Sequence, residues 1–166
     1  ALYQAACISV KEGRFEDALE EINSSLACNS RNHKVLALKA TMLRLAGRKD
    51  EALSVCQKSK QLDLFNYGCR YEEYLLTGDK AVLDDLINLM HKQFNNYDEL
   101  ALDYWRCGQN EVAADIWQLA DDNGATTAMT YYYMGLAGKE EGFDLGAKAC
   151  SDYCFPNRLE AILALQ

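Results

Sequence analysis

Glycines fall at Gly13, Gly47, Gly78, Gly108 and Gly142, at intervals of 34, 31, 30 and 34 residues. Five residues after four of them stands an alanine: Ala18, Ala52, Ala113 and Ala147. After Gly78 the same place holds Leu83. The first two copies read GRFEDALEEI and GRKDEALSVC. Self-similarity at this period means one supersecondary unit written several times, each unit needing its neighbours to bury its apolar face.

The residues between the glycines have a helix period. Ala18, Leu19, Ile22 and Leu26 recur at three and four, as do Val112, Ala113, Ile116, Trp117 and Ala120. Strand-like alternation bounded by turn residues is absent, and proline occurs once, at Pro156. The pattern predicts helices over 2–12, 15–28, 32–46, 49–62, 67–77, 80–93, 97–107, 110–122, 127–140, 144–152 and 156–166. Glycine ends the first helix of each pair by entering the left-handed region. An acidic or polar residue then opens the second helix at its positive end. The alanine one turn further on lets the two axes approach within about 8–10 Å. Leu83 is too large for that contact, so the third hairpin should be splayed or irregular. Pro156 suits the first turn of the last helix, whose Leu159, Ile162, Leu163 and Leu165 should cover the end of the array.

Composition narrows the partner. Net charge is −8 and the pI about 4.8, the wrong sign for nucleic acid or an anionic membrane surface. No apolar run reaches the roughly 18 residues a membrane span needs. The seven cysteines are odd in number, none has C-x-x-C spacing, and they sit in helical patterns as small hydrophobes. A reducing, cytoplasmic compartment is expected. Cys150 and Cys154, four apart, read as packing residues on one helix face. The chain opens ALYQ without Met, the expectation being a piece of a longer protein.

A 34-residue helix-turn-helix unit with this skeleton resembles the tetratricopeptide repeat. Gly13, Phe15, Ala18 and Ile22 match the first unit; Gly47, Ala52 and Cys56 the second; Gly108, Ala113 and Trp117 the fourth; Tyr131, Met134, Gly135, Gly142 and Ala147 the fifth. The proline that usually closes each unit is missing, and Lys39 stands where a buried Leu is expected. The resemblance implies an all-α, right-handed superhelical solenoid of about five antiparallel helix pairs with a C-terminal capping helix. Its units run over about 1–30, 31–65, 66–95, 96–125 and 126–155, with the cap at 156–166, as a single domain over 1–166. A looser likeness is carried by SVKEGRFEDALEEINSSL and SDYCFPNRLEAIL. These runs resemble the helical tails of large bacterial multidomain proteins that begin with a carbohydrate-related, β-rich domain.

No pattern for catalysis stands out. His33 and His91 lie far apart and outside any zinc motif, and no phosphate-binding or nucleophile-elbow glycine motif occurs. No catalytic residue, metal or cofactor is assigned, and DDNG at 121–124 reads as a helix stop rather than a calcium loop. Acidic doublets such as Asp84-Asp85 read as solvated faces.

The resemblance instead implies a protein or peptide partner, another domain of the same protein included, held in a groove lined by the first helix of each pair. Carried over residue by residue, that groove takes Tyr3, Gln4, Cys7 and Lys11, then Lys34, Leu38, Thr41 and Arg44, then Glu72. Asp98, Glu99, Leu102 and Trp105 follow, and then Tyr132, Tyr133, Leu136 and Lys139. The Lys/Asn/Arg clamp that grips a terminal carboxylate is not met, its places holding Tyr3, Cys7, Leu38 and Cys69. From Arg31 to Lys49 there are six basic residues and no acidic one. They form either a basic half-groove facing Asp98, Glu99 and Asp103, or a solvated face with counter-charges on a neighbouring helix. In the run Tyr131–Tyr133, Tyr131 is expected in the core and its neighbours half exposed.

Overall fold

The computed structural model describes residues 1–152 and 154–166. They form eleven helices and no strand: α1 Leu2–Lys11, α2 Phe15–Cys28, α3 His33–Leu45, α4 Lys49–Leu62, α5 Tyr67–Thr77, α6 Lys80–Met90, α7 Phe94–Arg106, α8 Asn110–Asp122, α9 Ala128–Leu136, α10 Glu141–Lys148 and α11 Leu159–Ala164. The helix order is the expected one. No helix among the described residues is long and apolar enough to cross a membrane.

The repeated phrase is a helix stop followed by a helix start. Gly13, Gly47 and Gly108 have φ of 72°, 74° and 81°. At each, the glycine N–H bonds a carbonyl three residues back and the next N–H bonds one five back, as in Arg14 N to Ser9 O at 2.9 Å and Arg48 N to Leu43 O at 2.8 Å. This closes the orphan carbonyls of the first helix. The arginine after the glycine then clips the new helix. Arg14 donates to Asp17 at 2.6 Å and Arg48 to Glu51 at 2.7 Å, equivalent positions in the two copies. Both pairs are exposed, so solvent screens them and they orient the turn more than they stabilise it. Ala18, Ala52 and Ala113 are fully buried where the paired helices meet. These hairpins are tetratricopeptide-like in build.

Two units depart from the pattern. At Gly78 a single bond, Gly78 N to Tyr74 O at 2.8 Å, ends α5, and Asp79 caps α6 at once by accepting from Ala81 N at 2.9 Å. Leu83 is half-buried, and α5 and α6 pack on each other less closely than the other hairpins do. In the last hairpin the register differs from expectation. The turn glycine is Gly138, at φ 107°, with Lys139 N reaching Met134 O at 3.0 Å. Gly142 lies inside α10 and makes the close contact, while Ala147 is exposed. A Cβ on Gly142 would run into Tyr131 O and stand 2.7 Å from Gly135 N, so α10 lies directly on the backbone of α9.

The expected single array divides into two compact units, 1–91 and 92–166. The break follows the irregular third hairpin, where α6 stops at His91 with φ 52° and ψ −158°. In the first unit, α3 and α5 are neighbours as well as each packing on its own partner, and Gly68 permits their approach, since a Cβ there would lie 2.5 Å from that of Ala37. Buried Asn66 ties three segments by donating to Ser59 Oγ at 2.7 Å and His33 O at 3.2 Å and accepting from Cys69 N. In the second unit Trp117, Tyr97, Leu102 and Ile116 form the core.

The C-terminal cap is not as expected. Pro156 lies outside α11, which begins at Leu159. The buried face of α11 is Ala161 and Ala164, and Leu159, Ile162, Leu163 and Leu165 are 40–68% exposed. The short side chains let α11 lie close on α9, which turns the leucines outward.

Candidate functional site

In the first unit the first helices of the pairs are neighbours, α1 beside α3 and α3 beside α5. Their open positions are Gln4 and Lys11, both exposed, with Tyr3, Lys34 and Arg44 half-buried. The other expected groove residues of this unit are packing residues. Cys7 and Leu38 are buried. Thr41 and Glu72 are buried together: Thr41 Oγ1 donates to Glu72 Oε1 at 2.8 Å, and Arg44 donates to both carboxylate oxygens at 2.7 and 3.2 Å. This knot joins α3 to α5 and takes Arg44 out of the supposed basic half-groove. Arg48 is clipped to Glu51, and Lys39 donates to Asn23 on α2 at 2.8 Å. Two of the six basic residues, Lys39 and Arg44, are thus committed to neighbouring helices and Arg48 to its own, while Lys11 is exposed and Lys34 half-buried on this face.

In the second unit, Leu102 and Tyr133 are buried, and Asp98 is 6% exposed. Glu99, Trp105, Tyr132, Leu136 and Lys139 remain half-buried. The tyrosine run splits the opposite way from expectation. Tyr133 enters the core and stacks on Trp117, ring centroids 5.6 Å apart, and Tyr131 is half-buried, donating to Asp121 at 2.6 Å. Of the expected acidic half, Glu99 accepts from Arg158 at 2.6 Å and Asp103 from Arg106 at 3.1 Å.

The same unit contains a cleft of about 240 Å³. Asp98 and Tyr133 form part of its wall, with Phe94 and Phe155 as aromatic sides and Thr127 and Arg158 as polar ones. Asp98 is held by two neutral donors, Trp117 Nε1 at 3.1 Å and Thr130 Oγ1 at 3.4 Å. Burial pushes its carboxyl up to about 7, against the opposing pull of those two hydrogen bonds and of Arg158. The Sγ of Cys154 accepts from Met129 N at 3.2 Å and brings the segment after α10 back over the start of α9. Cys150 and Cys154 lie outside any helix, so they do not share a helix face.

Reading the sequence found Asp98 and Tyr133 but assigned them to an open groove. It missed Phe94, Thr127, Phe155 and Arg158 as a group. The available signal was the segment CFPNR, which breaks the repeat and so has to pack on something other than a partner helix. Among the described residues, no group of three or more His, Cys, Asp or Glu is arranged to hold a metal ion.

No family model matches the chain, and no curated protein matches it. Among solved structures it is similar to MamA, residues 41 to the end, from Desulfovibrio magneticus RS-1, at 17% identity and TM-score 0.49, covering 89% of this chain and 88% of that one. A crystal structure of MamA protein is similar at 18% identity and TM-score 0.42, covering 98% and 91%. Naa15 with Naa10, bound to HypK-THB, is similar at 15% identity and TM-score 0.38, covering 98% of this chain and 32% of that one.

Proposed function

We propose that this chain is a non-catalytic scaffold that binds a protein or peptide partner on the open faces of the first helices of its pairs. One observation carries the reading. The residues that recur at the repeat period, Gly13, Gly47 and Gly108 with Ala18, Ala52 and Ala113, are spent on turns and helix contacts. Gln4 and Lys11 in α1 are exposed and Lys34 in α3 is half-buried, and none of the three belongs to the repeated phrase. A face carried on packed helix pairs binds with little ordering cost. A cytoplasmic, reducing setting belongs to the same proposal, supported by seven cysteines carried as thiols, four of them buried.

The test is peptide selection against the whole chain, followed by affinity measurements on Lys11→Glu and Lys34→Glu. Lys11 is exposed, so its reversal should leave the melting temperature unchanged, and affinities of both variants are compared where each is fully folded. An at least tenfold loss of affinity supports the reading. Failure to select any binder, or binders indifferent to both reversals, contradicts it.

A second reading is favoured by α11. Its outward Leu159, Ile162, Leu163 and Leu165, with Phe155 at 75% exposure, form a concentration of apolar side chains of the kind that marks an association surface. On this reading the chain packs on another domain of a larger, carbohydrate-related protein, or on a second copy of itself. Light scattering at high concentration separates the self-association branch, where a monomer counts against it.

A further inference from the structure

In α7, Tyr97, Ala101 and Tyr104 form one buried stripe. Glu99 and Arg106, seven residues apart, fall together on the opposite face by helix phase. Both are engaged by the segment that follows α10. Arg158 donates to Glu99 at 2.6 Å, and Arg106 donates to Glu160 at 2.7 Å. The same segment is fixed to α9. Cys154 Sγ accepts from Met129 N at 3.2 Å, and α11 packs on α9. In the first unit the first helices simply follow one another, α1 on α3 and α3 on α5. A helix continuing such an order touches its nearest neighbours and leaves the helix before them alone. Residues 154–166 instead reach back to α7, and so lie across the side of α7 and α9 where the scaffold reading places a ligand.

We infer that residues 154–166 are an internal occupant of this face, an autoinhibitory strap that a peptide partner must displace. The inference rests on the scaffold reading above and names what regulates its second unit. The grip is made for release. α11 turns Ala161 and Ala164 inward, while its large side chains Leu159, Ile162 and Leu163 are 40–68% exposed. The two ion pairs that tie the strap to α7 have side chains 13–46% exposed, so solvent screens them in part. Nor does the strap fill the face. A cleft of about 240 Å³ remains, lined by Phe94 and Asp98 of α7, Tyr133 of α9, and Phe155 and Arg158 of the strap. Contacts packed for permanence leave few voids larger than a water molecule. A helix of six residues has little stability of its own, so a strap off the face loses α11 as well. The chemistry of a displacing peptide follows from what it replaces. It offers a basic and an acidic residue two positions apart to Glu99 and Arg106, then small residues at the places of Ala161 and Ala164.

The experiment uses the full chain, hydrogen–deuterium exchange, and a fluorescent capped peptide of residues 154–166 carrying Cys154→Ser. In the wild type, exchange over 159–165 is expected to be at least tenfold faster than in α8, as for a segment that opens while its unit stays folded. The chain variant Arg158→Glu with Glu160→Arg sets like charges against Glu99 and Arg106 and frees the strap. It should expose 159–165 while α7, α8 and α9 stay protected. It should also bind the peptide at least tenfold more tightly than the wild type, whose tethered strap competes at high effective concentration. The peptide carrying the same two reversals should bind at least tenfold more weakly. Loss of protection across α7 to α9 in the variant makes the segment part of the core and overturns the inference. Exchange over 159–165 as slow as in α8, or equal peptide affinity of the two chains, overturns it as well. A selected foreign peptide that protects α7 and α9 with the same affinity for both chains leaves the scaffold reading standing and overturns the strap. The 154–166 peptide binding the freed chain, with no foreign peptide selected against either chain, upholds the strap and overturns the scaffold reading.

Discussion

The Arg44 guanidinium reaches from α3 to the fully buried Glu72 carboxylate on α5, with hydrogen bonds of 2.7 and 3.2 Å. Thr41 Oγ1 completes the knot from the same helix. A buried charge left without its partner is costly, so Arg44→Ala should destabilise the first unit by about 2–3 kcal/mol. The figure sits below that for a fully buried pair because Arg44 is partly exposed. Replacing both charges, as in Arg44→Met with Glu72→Leu, should recover part of the loss. Urea unfolding of the single and double variants checks this.

The two kinds of glycine should behave differently. Gly13 has open space around its Cβ position and a φ of 72°, so Gly13→Ala meets only backbone strain, about 1 kcal/mol. Gly142 has ordinary backbone but lies on Tyr131 O and Gly135 N, so Gly142→Ala must push α10 off α9, at about 3 kcal/mol. Thermal unfolding of the two variants side by side should show the larger loss at Gly142.

That contrast also explains what the sequence could and could not reveal. The Gly-to-Ala spacing located the hairpins at Gly13, Gly47 and Gly108 because a left-handed stop and a close contact each admit few residue types. It misplaced the last turn because Gly142 has Ala147 five residues on, whereas the glycine that makes the turn, Gly138, has Phe143 there; the hydrogen bond from Lys139 N to Met134 O marks Gly138. The open face was harder to read. Asp98, Glu72 and Leu102 occupy outward positions by helix phase, but neighbouring elements cover them, and a period says nothing about cover. The α11 leucines failed for the converse reason, as two small alanines fit the available space better.

Asp98 gives stability a pH signature. Its carboxyl rises from an ordinary value of 3.8 unfolded to about 7 folded, so the folded state binds the extra proton. The contribution is fully present below about pH 4 and is lost as pH rises through 7, at up to about 1.4 kcal/mol per pH unit inside that window. Asp98→Asn removes the term. The stability of the wild type relative to this variant should therefore fall between pH 4 and 7 and level off above. Denaturant titrations at four pH values measure it.

Thiol accessibility follows burial. Cys28 and Cys150 are exposed, while Cys7, Cys56, Cys69 and Cys107 are buried. A hydrogen bond with the neighbouring Cys69, and then burial, push the Cys56 thiol up, away from the reactive thiolate. A disulfide reagent on native protein should label Cys28 and Cys150 first, and label the four buried thiols only on unfolding, as peptide mass mapping would show.

The scaffold account rests on binding being carried by the first helices and not by the repeated phrase. Hydrogen–deuterium exchange of the chain with a selected peptide tests this directly. The account predicts added protection in α1 and α3 of the first unit or around α7 and α9 of the second. Protection confined to the second helices α2, α4, α8 and α10 would contradict it.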